Sequence, residues 1–355
     1  MLENSENNVP FTKENLENPD LNQLRISLQY VNELWLNTNT QKLLIDKLLE
    51  IRNDVYSKKL LIGNQFLKLI VVTADIEGVS QYWGKQLNRN EGITKQSDSV
   101  VAGKLIFWHK NDNFEIEECC AVMLINETVA IDLIDNNQER QNEGKHVIVH
   151  ELAHIETELI NLIRREKLNT NNNDTWALNK YALAEVLWEE FYATYKAYKY
   201  APSQNIQASN SYFSTLLAET TESVDQEILD YRTYNDVTRL YNFVIRKLEM
   251  LIAQLGRCLG SIKESGTDDK NKILVENFFA GIRDVSIRWE EITRQIYEIL
   301  DGEIFITDQG FDELSSFVAN YLIEFGLVLE RQSDQSIYID VPFTEKTTPK
   351  STDNL

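Results

Sequence analysis

Residues 150 to 154 read His-Glu-Leu-Ala-His, the stretch whose residue types and spacing are best suited to chemistry. On a helix, positions four apart stack on one face, so His150 and His154 present two imidazoles to one point. That arrangement supplies two of the four ligands of a tetrahedral zinc ion. Glu151, one residue along, falls beside the metal rather than on it. There it can take a proton from water whose pKa the ion has lowered to about 7. The chain holds four histidines, and two of them stand at this spacing with a glutamate between. The alternative is a plain amphipathic helix that packs Ile148, Leu152, Ile155 and Leu159 inward and carries the histidines on its flank. The pairing of both histidines with Glu151 favours the metal.

A metal-binding helix of this kind is buried, so its uncharged positions should be apolar or small. Val147, Ile148, Val149, Leu152, Ala153 and Ile155 agree; Glu156 departs from the pattern. A catalytic zinc needs a third protein ligand and one open position. The segment 174–200 has strong helix character, with Asp174 or Thr175 as its N-cap. Within it, Glu190 has Val186 and Leu187 one turn before and Ala193 and Thr194 one turn after, and Leu183 and Ala197 extend the stripe. A carboxylate set into an apolar face needs a cation or strong hydrogen bonds. Glu189 instead shares its side with Glu185, Tyr192 and Lys196, which reads as solvated. Ala193 and Ala197 are small enough to let this helix approach the first one closely. Glu190 is therefore the expected third ligand, with Glu189 and Asp174 as alternatives. Asp174 ends an asparagine-rich stretch, where capping is its simpler task.

Other groups stand near this constellation. His146 lies one turn before His150, and a helix drifts by about 40° every four residues, which puts it at the edge of the site. It is a candidate to polarise a substrate carbonyl or to support a ligand; a helix-start histidine in water is the simpler alternative. Glu158, four residues beyond His154, is a second supporting candidate or a surface charge. Tyr181, Tyr192, Tyr195 and Tyr198 are phenols that could stabilise an oxyanion or merely pack, and Tyr192 neighbours Glu190 most closely in sequence. His109 follows an apolar stretch and reads as part of a loop.

His-Glu-Leu-Ala-His followed by Leu187-Trp-Glu-Glu-Phe-Tyr-Ala193 resembles the gluzincin branch of the zincin metallopeptidases. It is most similar to small intracellular bacterial and prophage HExxH proteins whose later helix carries a Glu-aromatic-aromatic-Ala pattern. The resemblance covers roughly residues 60 to 200. It implies His150, His154 and Glu190 as ligands of Zn2+, Glu151 as general base, and a protein or peptide substrate. Asp174 lies near the third-ligand spacing of thermolysin-like enzymes, but is Asp rather than Glu. The expected fold class is α+β: a zincin-like small sheet, then the HExxH active-site helix, then a helix-rich carboxyl-terminal half. Residues 66–73, 100–107 and 119–131 read as strands, the last broken by a turn at Asn126 and Glu127. In that family's fold an edge strand lies along the cleft and pairs with extended substrate, and residues 121–125 are expected to be that edge.

The expected organisation is a disordered tail over 1–20, a metallopeptidase domain over 21–205, a mainly helical region over 206–341 and a disordered tail over 342–355. Residues 21–56 carry apolar positions at helical spacing. Further helices are expected over 211–232, 235–264, 270–300 and 310–325, followed by a short hairpin. Tyr241, Phe243, Ile245, Leu248 and Leu251 read as core. The start of the chain has no signal-peptide character, and no apolar run reaches the ~18 residues of a membrane helix. Cys119, Cys120 and Cys258 make no disulfide framework, so a cytoplasmic location is expected. A formal net charge of -21 argues against nucleic-acid binding, which depends on neutralising phosphates. The competing expectation is a non-catalytic scaffold that binds a partner through its acidic helical half.

Overall fold

The stretch Cys-Cys-Ala-Val-Met-Leu-Ile-Asn has no polar alternation, the pattern of a strand covered on both faces. It forms β4 (Cys119–Asn126), and all eight residues are buried. The computed structural model describes residues 24–58, 60–61, 63–86, 102–109, 119–168, 175–200, 203–265, 269–301, 308–333 and 336–348. The expected tail over 1–20 lies outside them. In the sheet, β4 pairs in parallel with β2 (Leu67–Thr73) and antiparallel with β3 (Gly103–His109). β1 (Arg25–Gln29) adds in parallel to β2, giving the order β1-β2-β4-β3. Residues 121–125 are therefore central, and the expectation of an edge there fails. A strand with no polar face belongs in the interior, and the edges are β1 and β3.

Parallel neighbours require crossover connections. Helix α1 (Thr38–Ser57) joins β1 to β2, and α2 (Ile76–Gln86) follows β2. Ile76, Val79 and Trp83 of α2 pack on Leu69 and Val71 of β2, Ile106 of β3, and Cys120, Val122 and Leu124 of β4. Residues 21–56 are not one helix: β1 and a 3-10 turn over Glu33–Leu36 precede α1. The expected turn at Asn126 is a helix start. The Asn126 Oδ1 accepts the Thr128 N–H at 2.9 Å and caps α3 (Glu127–Ile134). The long helix α4 (Gln138–Leu168) begins at Asn137, whose Oδ1 accepts the Glu139 N–H at 2.8 Å. Arg140 ties the two helices together through Asp132 at 2.7 Å and Asp135 at 2.8 Å. Helix α5 spans Thr175–Ala197.

The chain divides into two compact units, residues 1–167 with 196–202 and residues 168–195 with 203–355. The second unit adds α6 (Ser203–Tyr234), α7 (Val237–Ser265), α8 (Asp269–Val285), α9 (Ile287–Asp301) and α10 (Asp308–Glu324). The expected hairpin closes it, with β5 (Val328–Arg331) antiparallel to β6 (Ile337–Asp340). The single helix expected over 270–300 is broken at Ser286, whose Oγ accepts the Trp289 N–H at 3.4 Å and so starts α9. The buried stripe of α7 is Leu240, Val244, Leu248, Leu251 and Leu255, while Tyr241, Phe243 and Ile245 are only half-buried. Arg232 of α6 donates to the carbonyls of Val341 at 2.7 Å and Pro342 at 3.0 Å, holding the start of the segment read as a tail. Among the described residues, no helix is long and apolar enough to cross a membrane.

Within this unit α7 meets α5 backbone to backbone. A Cβ on Gly260 would lie 2.4 Å from the Phe191 carbonyl oxygen, and one on Gly256 would lie 2.6 Å from that of Leu187. Neither oxygen can swing aside as a side chain can. We expect Gly260→Ala to destabilise the protein by about 1–3 kcal/mol through overpacking, outweighing the ~1 kcal/mol gain in helix propensity. Gly281→Ala meets only the Ser214 hydroxyl, at 2.6 Å, which can rotate away, so its urea midpoint should stay near wild type. A midpoint for Gly260→Ala at or above wild type would contradict the close seam.

Glu290 is buried between Arg283 and Arg294, with the Arg294 Nε at 2.8 Å. The hydrogen bonds from Arg283, then those from Arg294, outweigh burial and hold the carboxyl at about 2, below its ordinary 4.5. A depressed carboxyl stabilises the fold above its unfolded value, and that contribution fades as pH falls through the folded one. Glu290→Gln is expected to cost about 1–3 kcal/mol at neutral pH. The gap to wild type should shrink between pH 4.5 and 2, as read by denaturation across that range.

Candidate metal centre

Helix α4 carries His150 and His154 on a buried body. Ile148, Val149, Leu152, Ala153 and Ile155 are all buried, as a metal-binding helix requires. The Nε2 atoms of His150 and His154 lie 3.1 Å apart, and the rings meet edge to face at 81° with centroids 4.8 Å apart. Two nitrogens each 2.0–2.1 Å from a tetrahedral ion are separated by roughly 3.3 Å. The pair thus already stands at ligand spacing. In a metal-free protein the same distance is a hydrogen bond in which one imidazole donates.

Glu190 is the third group of a candidate donor set. Single ligand atoms of His150, His154 and Glu190 all lie within 4.8 Å of one another. Two imidazoles and one carboxylate are a donor set that suits a catalytic zinc, with room for a fourth ligand. The stripe read from the sequence explains the position: Leu183, Leu187, Ala193, Thr194 and Ala197 are buried, and the Glu190 side chain is 16% exposed. Glu185, read as part of a solvated side with Glu189, is in fact buried. Neither Glu189 nor Glu158 belongs to the converging set, and both are half-buried on their helices. Asp174 lies outside the described residues.

Glu151 is buried and faces the start of β3. A Cβ on Gly103 would lie 2.7 Å from the Glu151 Cγ and 2.9 Å from its Oε1, so only a residue without a side chain lets the carboxylate sit there. Gly103 pairs with Ile125, and β3 is the antiparallel edge of the sheet. His146 is not a helix-start histidine: α4 begins two turns earlier, and the ring is half-buried. Its Nδ1 lies 3.0 Å from the Ala197 carbonyl oxygen, which accepts from it and leaves Nε2 as the unprotonated nitrogen of the neutral ring. Ala197 is two turns beyond Glu190, so the helix carrying Glu190 ends at the carbonyl held by His146. The His146 and His150 ring centroids are 6.3 Å apart.

The phenols have packing contacts. Tyr181 donates to Asp312 and stacks on Phe311. Tyr192 lies against Trp188, Tyr195 stacks on Phe191, and Tyr198 begins a 3-10 turn. His109 ends β3 rather than lying in a loop. Glu156, the departure from the apolar pattern, acts on Tyr56 of α1. Burial pushes the Tyr56 phenol above its ordinary value, with Arg52 opposing and Glu156 adding to the rise.

Sequence reasoning missed two residues here. One is Gly103; the other is Arg257 of α7, which pairs with Glu190 at 2.8 Å. The spacing Gly256-x-x-x-Gly260 was the available sign of a close helix seam, but nothing in it names Glu190 as the partner of Arg257. Comparison with protein-family models, with curated proteins and with solved structures gives no match.

The geometry separates ligands from supports. His146→Phe removes one hydrogen bond and is expected to cost about 0.5–1.5 kcal/mol while leaving metal stoichiometry unchanged. Loss of the metal from this variant, measured by elemental analysis, would make His146 a ligand instead.

Proposed function

We propose that the protein is a zinc-dependent metallopeptidase, a zincin of the gluzincin type, acting on peptide or protein substrates in the cytoplasm. The observation that carries this reading is the convergence of His150, His154 and Glu190 with Glu151 next to them on α4. His150, His154 and Glu190 hold the ion. Zinc bound there supplies Lewis acidity to the scissile carbonyl and lowers the pKa of water to about 7. Glu151 takes the proton from the attacking water and passes it to the leaving amine, the general acid–base part of the reaction. Gly103 keeps the space that this carboxylate needs. The antiparallel edge strand β3 begins at Gly103, beside Glu151, which suits an extended peptide adding to the sheet along that edge. The three cysteines are free and buried, in keeping with a reducing compartment.

One observation favours a second reading, a zincin-fold scaffold that binds a partner through its acidic helical half without catalysis. Arg257 satisfies the Glu190 carboxylate with no metal required. Zinc content separates the two. Untagged protein should carry about one zinc per chain, and His154→Ala and Glu190→Ala should lose it or bind it far more weakly. Glu151→Gln should keep the zinc and lose roughly 10²- to 10⁴-fold in peptide hydrolysis. Gly103→Ala should also keep zinc while lowering kcat, because the added methyl displaces the base and not a ligand. Wild-type protein that neither contains nor takes up zinc would leave the scaffold reading standing.

A further inference from the structure

Glu190 is gripped from the helical carboxyl-terminal region. The Arg257 Nε donates to Oε2 at 2.8 Å and its Nη2 to Oε1 at 3.2 Å, two parallel bonds from one guanidinium. Such a fork fixes the plane of a carboxylate as well as its position. Each carboxylate oxygen has about two lone-pair sites, so the Arg257 fork by itself does not fill them. The grip depends on the residue beside it: at Gly256 a Cβ would lie 2.6 Å from the Leu187 carbonyl oxygen and 2.9 Å from the Cβ of Glu190 itself. Close approach of the α7 backbone at Gly256 therefore delivers Arg257 to its partner.

We propose that Arg257 is a positioning residue for Glu190, the third metal ligand. This inference rests on the zinc reading of His150, His154 and Glu190. Arg257 is 48% exposed and Glu190 16%. Water screens the guanidinium charge, both its attraction to the carboxylate and its repulsion of a bound cation. Its orienting fork outweighs both. Partners that orient a ligating group are worth about 10–100-fold in metal affinity.

The test uses the full chain, with Zn2+ affinity measured by competition against a chromophoric chelator. Arg257→Met is expected to bind Zn2+ about 10–100-fold more weakly, with unchanged circular dichroism and melting. Arg257→Lys, which keeps the charge but not the fork, is expected to recover little. In a Glu190→Ala background, Arg257→Met should cause no further loss, and the visible bands of the Co2+-loaded protein should change in the Arg257→Met single variant. Zinc binding as tight as or tighter than wild type in Arg257→Met overturns the proposal, and so does an equal loss in both backgrounds. If wild type binds no zinc, or His154→Ala binds it equally well, the zinc reading itself fails and this inference falls with it. Wild type that binds zinc through His154 and is indifferent to Arg257 removes this inference alone.

Discussion

Two imidazole nitrogens held 3.1 Å apart on successive turns of one helix set the demands that the surrounding structure meets. At that distance neutral rings share either a proton or a metal, and two protonated rings would repel. The helix must therefore be held in rotation as well as in place. Burial of Ile148, Leu152, Ala153 and Ile155 fixes one side of α4. The chain before β2 then closes on it at Gly63, where φ is +99° and a Cβ would lie 2.8 Å from Ile155. An L side chain there is strained by the backbone and blocked by α4 at once. At Gly103 the edge of the sheet comes equally near Glu151. Thus α4 is located by backbone contacts at two separate places, and Glu151 is located with it.

The same economy operates in the second unit. A helix can present one carboxylate from a buried stripe only if its neighbours are small or lack side chains where they touch it. Ala193 and Thr194 are small buried residues beside Glu190 on α5, and Gly256 and Gly260 are bare positions on α7. The seam brings a charged residue, Arg257, to a carboxylate that would otherwise be costly to place among apolar neighbours. An apolar stripe interrupted by a single glutamate is thus explained twice over, by a guanidinium that is there and by a donor set that suits a cation.

Chemistry carried by local spacing was legible in the sequence; chemistry carried by packing was not. That His150 and His154 share a face follows from helical geometry, and the buried setting of Glu190 from its place in a stripe on one helix. The α+β class and the run of carboxyl-terminal helices follow from periodicity. β1 is too short to interrupt a helical pattern that resumes at Thr38. Asn126 reads as a turn because a strand that passes straight into a capped helix has the same local chemistry. Ser286 broke a helix without glycine or proline. The edge strand was misplaced although its correction was written in β4, since eight residues with no polar face cannot lie at an edge. Arg257 meets Glu190 across 67 residues of chain, and no local rule reaches that far.

Glu156 shows how a departure from a pattern can be informative. The position calls for an apolar residue, yet the charge of the glutamate reaches the Tyr56 phenol of α1. Burial also lowers the Arg52 pKa from its ordinary value, so this cation has lost part of its hydration. Bringing such charges together does not of itself stabilise a fold, because desolvation can cancel the attraction between them. What the Glu156 charge does is act with burial to raise the Tyr56 phenol, so that this side chain of α1 stays neutral.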